Sequence, residues 1–134
     1  MPDIDAFLGA ERFAVAGASN RTHKYGYMVF KALLDSGRVV YPLNPAAEVI
    51  AGEQVYPSVL DVPDSVDALS IITPPEVTRE VVKQAVEAGV KHVWMQPGAE
   101  DSEASQIARD AGVNVIDDGS CILVLLSRES ALRE

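Results

Sequence analysis

The chain has 134 residues, the size of one domain, and 48% of them are apolar, so it can bury a core and is not expected to be disordered. Its formal net charge of −9 argues against nucleic acids and anionic membranes as partners. The longest uninterrupted apolar run, residues 121–126, is far shorter than the roughly 20 residues that a membrane-spanning helix needs.

The cysteine content and the N-terminal residues indicate the cellular compartment. A single cysteine excludes an internal disulfide framework and a zinc site made of several cysteines. The first residues contain no basic segment of the kind that opens a signal peptide. We therefore expect a soluble cytoplasmic protein.

The first third of the chain predicts a capped helix, a strand and a second helix. Asp3 is predicted to cap a short helix that carries Ile4, Phe7 and Leu8, interpreted as a lid over the sheet edge. Residues 12–16 are apolar on both faces, as in a buried parallel strand. A helix over 24–36 is predicted to bury Phe30, Leu33 and Leu34, to end at Gly37, and to lead into a strand over 39–43.

The middle third predicts a strand followed by the most clearly marked helix of the chain. A loop with a turn and a short helical turn at 58–63 precede a strand over 67–72. Thr73 and Glu76 are predicted to form a capping box, with prolines in the first helical turn and Gly89 as the stop. The side chains predicted to be buried in this helix are Val77, Val81, Val82, Ala85 and Val86.

The last third continues the alternation of strands and helices. Strands are predicted over 90–95 and 113–116, and a helix over 102–111 with Ala104, Ile107, Ala108 and Ala111 facing inward. The run 121–126 is compatible with a helix or with an added strand, because no polar residue interrupts it. The alternation predicts an α/β fold, a doubly wound, mainly parallel, five-stranded Rossmann-like sheet in a single domain over residues 1–134.

The residues after the first strand are typical of a phosphate-binding turn. The strand runs into Gly17, and a polar loop with Arg21, His23 and Lys24 leads into the next helix. No Asp or Glu occurs from residue 12 to residue 34, although the whole chain is acidic. A cation at a helix N-terminus is unfavourable unless an anion is bound there, so we favour an anion site over an ordinary solvated basic surface.

Ligands of open α/β sheets bind outside the carboxyl ends of the strands, where the strand order reverses. The predicted strands end at Gly17-Ala18-Ser19, Pro42-Leu43-Asn44-Pro45, Thr73-Pro74-Pro75, Gln96-Pro97-Gly98 and Asp117-Asp118-Gly119.

The dinucleotide fingerprint is absent from the turn. After Gly17 the next glycine is Gly26, and the second strand ends at Leu43-Asn44-Pro45 without the acid that holds an NAD ribose. The cations of the turn suit a ligand richer in phosphate than NAD, such as coenzyme A. An NAD(P)-binding redox sensor or an oxidoreductase fragment remains an alternative.

The sequence resembles small CoA-binding proteins whose domain is similar to the N-terminal domain of the succinyl-CoA synthetase alpha subunit. The resemblance covers roughly residues 11–124, and its specificity lies in the order of several short segments. These segments are Val15-Ala16-Gly17-Ala18-Ser19, Lys24-Tyr25-Gly26, Val40-Tyr41-Pro42-Leu43-Asn44-Pro45, Ile50-Ala51-Gly52, Val66-Asp67, Thr73-Pro74-Pro75, Ala88-Gly89-Val90-Lys91, Val93-Trp94-Met95-Gln96-Pro97-Gly98-Ala99, Ala111-Gly112-Val113 and Cys121-Ile122.

The resemblance implies a role in CoA binding for residues of four loops. Gly17, Ala18 and Ser19 would contact CoA phosphate, and Lys24 would add a positive charge, with Arg21 and Tyr25 in the same turn. Asn44 and Pro45 would border the adenosine. Thr73, Pro74 and Pro75 would line the pantetheine arm, with Gln96, Pro97 and Gly98 near its far end. The acidic stretch 117–120 departs from the family pattern, so no role is carried over to it.

The sequence shows no convergent set of catalytic or metal-binding residues. His23 and His92 lack a third partner for a metal site or a triad, and Ser19 lacks the glycine of a nucleophile elbow. Cys121 is either a small buried side chain or a neighbour of the CoA thiol that can form a mixed disulfide. We therefore expect a protein that binds CoA or an acyl-CoA without catalysis of its own, with a detached subunit of an acyl-CoA synthetase as an alternative. Its size and the apolar run 121–126 are compatible with a homodimer.

Overall fold

The computed structural model describes residues 2–133 as alternating strands and helices. The strands are, in chain order, β1 (Arg12–Ala16), β2 (Val39–Leu43), β3 (Val49–Ile50), β4 (Glu53–Gln54), β5 (Ala68–Ile71), β6 (His92–Met95) and β7 (Asn114–Ile116). The helices are α1 (Ile4–Leu8), α2 (Tyr25–Asp35), α3 (Pro75–Glu87), α4 (Ser102–Asp110) and α5 (Ile122–Arg133), with a 3-10 turn at Val59–Asp61.

Five parallel strands form the central sheet in the order β2-β1-β5-β6-β7. Strands β3 and β4 form a separate antiparallel hairpin. The chain moves outward from β1 to β2 and then adds β5 on the other side of β1, so the strand order reverses between β1 and β5. The predicted doubly wound Rossmann-like fold is confirmed, and this reversal is where such sheets bind ligands.

Alternate side chains of the buried strands belong to two separate hydrophobic cores, one on each face of the sheet. On one face Phe13 and Val15 pack with side chains of α1, α2 and α5, including Phe30 and Ile122. On the other face Ala14 and Ala16 belong to the core that contains the buried residues of α3 and α4. Since helices cover both faces, the strands are apolar on both sides.

Helix α1 lies on the face of the sheet, so its interpretation as a lid over the edge is wrong. Asp3 does cap the helix, because its side chain accepts a hydrogen bond from the Ala6 amide at 2.9 Å. Phe7 is completely buried, with its ring 5.7 Å from that of Phe13 and 5.2 Å from that of Trp94. An aromatic side chain gains more contact there than at an edge strand.

Helix α3 does not begin with the predicted capping box. Its N-cap is Pro74, and the Thr73 hydroxyl instead lies 2.7 Å from the hydroxyl of Thr78. Thr78 is therefore buried in the position expected for Val77, which is 43% exposed. Pro75 occupies the first helical position, as predicted, because proline has no amide hydrogen to leave unpaired.

The remaining differences between the predicted and the observed elements are local. Leu34 is half-buried at the edge of a core, and Ala111 is exposed because α4 ends one residue before it. The apolar run after Cys121 is the first part of helix α5, which decides between the two alternatives for that run. None of the helices within residues 2–133 is long and apolar enough to cross a membrane.

Candidate functional site

Backbone hydrogen bonds align the carboxyl ends of four neighbouring strands. The Gly17 amide donates to the Leu43 carbonyl at 3.2 Å, and the Ile72 amide donates to the Ala16 carbonyl at 2.8 Å. The backbone amide of Gln96, at the end of β6, extends this row of hydrogen bonds by donating to the Ile71 carbonyl. The loops after β2, β1, β5 and β6 therefore start at one level, at one end of the sheet.

Two glycines allow the turn after β1 to pack closely against its surroundings. Gly17 has a φ of 89°, and a Cβ atom there would lie 2.0 Å from the Ile72 carbonyl oxygen. A Cβ atom on Gly26, in the first turn of α2, would lie 2.0 Å from the Gly17 carbonyl oxygen. Glycine at position 26 thus allows α2 to approach the turn, and glycine at position 17 allows the turn to approach the end of β5.

The turn is held in place by side chains at its base. The Asn44 side-chain amide donates to the Ala18 carbonyl at 2.8 Å, and that of Asn20 donates to the Val49 carbonyl at 2.6 Å. The Ser19 hydroxyl accepts a hydrogen bond from the Arg21 amide at 3.1 Å. The turn thus has a defined conformation before any ligand binds.

The basic side chains of the turn precede a helix N-terminus that no side chain caps. Lys24 is the N-cap residue of α2, and its side chain makes no cap hydrogen bond. Three exposed residues, Arg21, His23 and Lys24, have side chains that make no hydrogen bond or ion pair with the described side chains of residues 2–132. An uncapped helix N-terminus with unpaired cations attracts an anion such as a phosphate group.

A cleft of about 260 Å³ opens beside the turn, at the reversal between β1 and β5. Its walls are the ends of β1, β2 and β5, the 3-10 turn and one face of α3. It is lined by Ala16, Gly17, Leu43, Asn44, Pro45, Pro57, Ser58, Val59, Thr73, Val77, Glu80, Val81 and Gln84. Pockets that enclose a whole drug-sized ligand have about 300–1,000 Å³, so this cleft suits one moiety of a larger molecule.

Apart from Gln96, the structure divides the predicted site residues into three groups. Those that line the cleft are Gly17, Asn44, Pro45 and Thr73. Those that form the turn are Ala18, Ser19, Arg21, Lys24 and Tyr25. Pro74, Pro75, Pro97 and Gly98 are exposed and do not line the cleft, so their contacts with a ligand stay predictions.

Gln96 lies beneath the site and is completely buried. Its side-chain nitrogen Nε2 donates to the Ser70 hydroxyl at 3.1 Å, and its side-chain oxygen Oε1 accepts from the Ile122 backbone amide at 2.9 Å. The Tyr25 hydroxyl donates to the same oxygen at 3.2 Å. Gln96 therefore supports the turn and helix α5 from below and has no exposed side chain to offer to a ligand.

Cys121 is half-buried immediately before α5, with its sulfur 2.7 Å from the Tyr25 hydroxyl. Burial, and after it the hydrogen bond with Cys121, raise the pKa of Tyr25 well above its ordinary value, so the phenol stays neutral. The interpretation of Cys121 as a small buried apolar side chain is wrong, because the side chain is only half-buried and contacts the Tyr25 hydroxyl. Its reaction with the CoA thiol stays a prediction.

The sequence did not reveal the α3 wall of the cleft. Val77, Glu80, Val81 and Gln84 share one helical face, at spacings of three and four residues. Val77 and Val81 are predicted to be core residues, yet Glu80 and Gln84 lie on the same face. That mixture of apolar and polar side chains could have distinguished a ligand-facing surface from a core-facing one.

The fold and the turn define a class: a Rossmann-like domain with a glycine-containing turn between its first strand and the following helix. The model of the CoA binding domain family matches residues 11–127, and the chain belongs to this family. It is 33% identical, over 84% of its length, to the alpha subunit of the ADP-forming acetate–CoA ligase II of Pyrococcus furiosus.

Two further relatives are close to this chain in length. The uncharacterized protein YneT of Bacillus subtilis is 30% identical, and the alignment covers 86% of this chain and 84% of YneT. A hypothetical protein from Pyrococcus horikoshii has a similar solved structure, with a TM-score of 0.88, 35% identity and coverage of 92% of this chain and 87% of the other. By contrast, the chain spans only 27% of the ligase alpha subunit.

Proposed function

We propose that this chain binds CoA or an acyl-CoA, with the pyrophosphate on the turn and the nucleoside in the cleft, and that it has no self-contained catalytic activity. The observation that carries the proposal is the uncapped, cation-bearing N-terminus of α2 beside the cleft, in a chain of the CoA binding domain family. A cytoplasmic location is the one we expect for such a protein.

The surroundings of Asn44 favour CoA over NAD. Dinucleotide sites hold the ribose hydroxyls with an acid at the end of the second strand. Here Asn44 follows β2, and both ends of its side chain are engaged, with the Ala18 carbonyl and with the Ala46 amide at 2.8 Å each. This position therefore supports the turn and offers no carboxylate to a ribose diol.

Calorimetric titration with CoA and with NAD tests the proposal. We expect saturable binding of CoA and much weaker binding of NAD. Tight binding of NAD with none of CoA would overturn the proposal in favour of the NAD(P)-binding alternative.

Substitution Lys24→Glu tests the placement of the phosphates. Because a hydrogen bond to a charged group contributes about 1.5–3 kcal/mol, we expect CoA affinity to fall about 10- to 100-fold, without loss of stability. Lys91→Glu makes the same charge change at an exposed residue before β6, at the opposite end of the strands, and should leave affinity unchanged. Equal affinities of Lys24→Glu and the original chain would remove Lys24 from the site.

A detached subunit of an acyl-CoA synthetase is the second candidate. It is favoured by the 33% identity with a ligase alpha subunit that is several times longer than this chain. Such a subunit needs a separate partner with a nucleotide-grasp domain. Co-purification of that partner would support the candidate, and a stable, self-sufficient homodimer would count against it.

A further inference from the structure

The charge of the chain changes sign abruptly between the turn and the cleft. The acid-free segment ends at Leu34, and from residue 39 to residue 78 there is no Lys, Arg or His. The same segment contains six acids, Glu48, Glu53, Asp61, Asp64, Asp67 and Glu76. This segment supplies most of the residues that line the cleft, although none of its six acids is among them.

The cleft itself contains a carboxylate and no cation. Among the described residues that line it, Glu80 is the only charged one. Arg79, its neighbour in sequence, is held elsewhere, with its guanidinium 2.8 Å from the Asp101 carboxylate and 3.2 Å from that of Glu103. The Glu80 side chain makes no hydrogen bond or ion pair with the side chains described, those of residues 2–132, so its charge acts on whatever occupies the cleft.

The two ends of the site therefore differ in charge: the turn is basic, and the cleft is neutral to acidic. It suits a ligand whose phosphates lie on the turn and whose nucleoside end is uncharged. CoA departs from that description at one point, because the phosphate monoester on its ribose carries about −1.5 to −2 charges at pH 7. Like charges brought together in a binding site oppose binding.

We infer that the cleft does not recognise the 3′-phosphate of CoA, and that 3′-dephospho-CoA binds at least as tightly as CoA. The inference rests on the proposed function and specifies which nucleotide that function accepts. Glu80 sets the preference through its charge, since no cation of the cleft compensates the phosphate. Pyrophosphate binding on the turn is common to both ligands and does not contribute to the difference.

Calorimetric titration of the full chain with CoA and with 3′-dephospho-CoA tests the inference. Glu80→Gln removes the charge at nearly constant shape, from an exposed position where loss of fold is not expected. We expect this substitution to shift the affinity ratio toward CoA by about three- to tenfold, as for a partly screened pair of charges. Glu87→Gln removes the same charge from the same helix about 10 Å farther along its axis and should leave the ratio unchanged.

The results of these titrations distinguish failure of the inference from failure of the proposed function. If the unsubstituted chain binds CoA more than twofold tighter than 3′-dephospho-CoA, the inference is overturned while the proposed function stands. If Glu80→Gln leaves the ratio unchanged, or Glu87→Gln shifts it equally, Glu80 does not set the preference and the inference fails in that part. If neither nucleotide binds, the proposed function and the inference both fail.

Discussion

At the scale of single residues, the pair Gly17 and Gly26 determines the shape of the turn. In the dinucleotide fingerprint the third glycine allows close packing of helix and strand. Gly26 makes that contact here, nine residues after Gly17 rather than five, because the loop between them is longer. The sequence motif therefore looks absent although the close contact it encodes is present.

Substitution Gly26→Ala should destabilise the chain although it lies within a helix. Alanine favours a helix by about 1 kcal/mol over glycine, but a Cβ atom 2.0 Å from the Gly17 carbonyl oxygen forces the backbone apart. We expect the free energy of unfolding to fall by about 1–3 kcal/mol net in urea denaturation, and CoA affinity to fall with it.

Gly37→Ala is the matched control, because Gly37 has a φ of 87° and nothing within 4 Å of a built Cβ atom. It should cost about 1 kcal/mol through backbone strain alone and leave CoA binding intact. A Gly26→Ala chain as stable as the original would show that the contact is not required.

At the scale of elements, Gln96 joins three of them. Its side chain connects the sheet at Ser70, the first residue of α2 at Tyr25 and the first amide of α5 at Ile122. The position of the turn thus depends on a buried side chain behind it. We expect changes at Gln96 to act on ligand binding through the position of Tyr25.

Substitution Gln96→Leu should leave the Ser70 hydroxyl and the Ile122 amide without their partner and remove one of the two partners of the Tyr25 hydroxyl. Since an unsatisfied buried group costs about 1–3 kcal/mol, we expect a loss of about 3 kcal/mol or more in the free energy of unfolding. Ser70→Ala removes one of the three partners and should cost about 1 kcal/mol. Thermal or urea denaturation measures both, and equal effects of the two substitutions would contradict the role of Gln96 as a shared anchor.

His92 joins β6 to β7 and to the residue that caps α1. The Asn114 side-chain oxygen accepts from the Asp3 amide at 3.0 Å, so its nitrogen is the donor toward His92 Nδ1, also at 3.0 Å. That contact requires a neutral imidazole. Burial lowers the pKa of His92 below its ordinary value of 6.5, which agrees with this assignment.

The stability of the chain should therefore depend on pH through His92. Below about pH 6.5 the unfolded chain binds a proton that the folded chain does not, so the free energy of unfolding falls as the pH decreases toward the folded-state pKa. Urea denaturation at about pH 7.5 and pH 5.5 should show a smaller loss for His92→Gln than for the original chain. His23→Gln, at an exposed loop residue, is the control and should retain the full loss.

At the scale of the whole molecule, the fold could be predicted from the sequence, but the α3 wall of the site and the burial of Gln96 could not. Buried parallel strands, helices ended by glycine and the turn after Gly17 are local signals, and the structure confirms them. The α3 wall is not a local signal: Val77 is exposed, and the buried position beside it is taken by Thr78, whose hydroxyl pairs with that of Thr73 from the preceding loop. Likewise, the burial of Gln96 depends on partners in three other elements.

The central claim is that one CoA molecule occupies both the turn and the cleft. Hydrogen exchange measured by mass spectrometry, with and without saturating CoA, tests it most directly. The account predicts slower exchange of the amides of residues 17–26 and 77–84, with exchange of residues 102–110 in α4 unchanged. Slower exchange confined to other segments, with residues 17–26 unaffected, would contradict it.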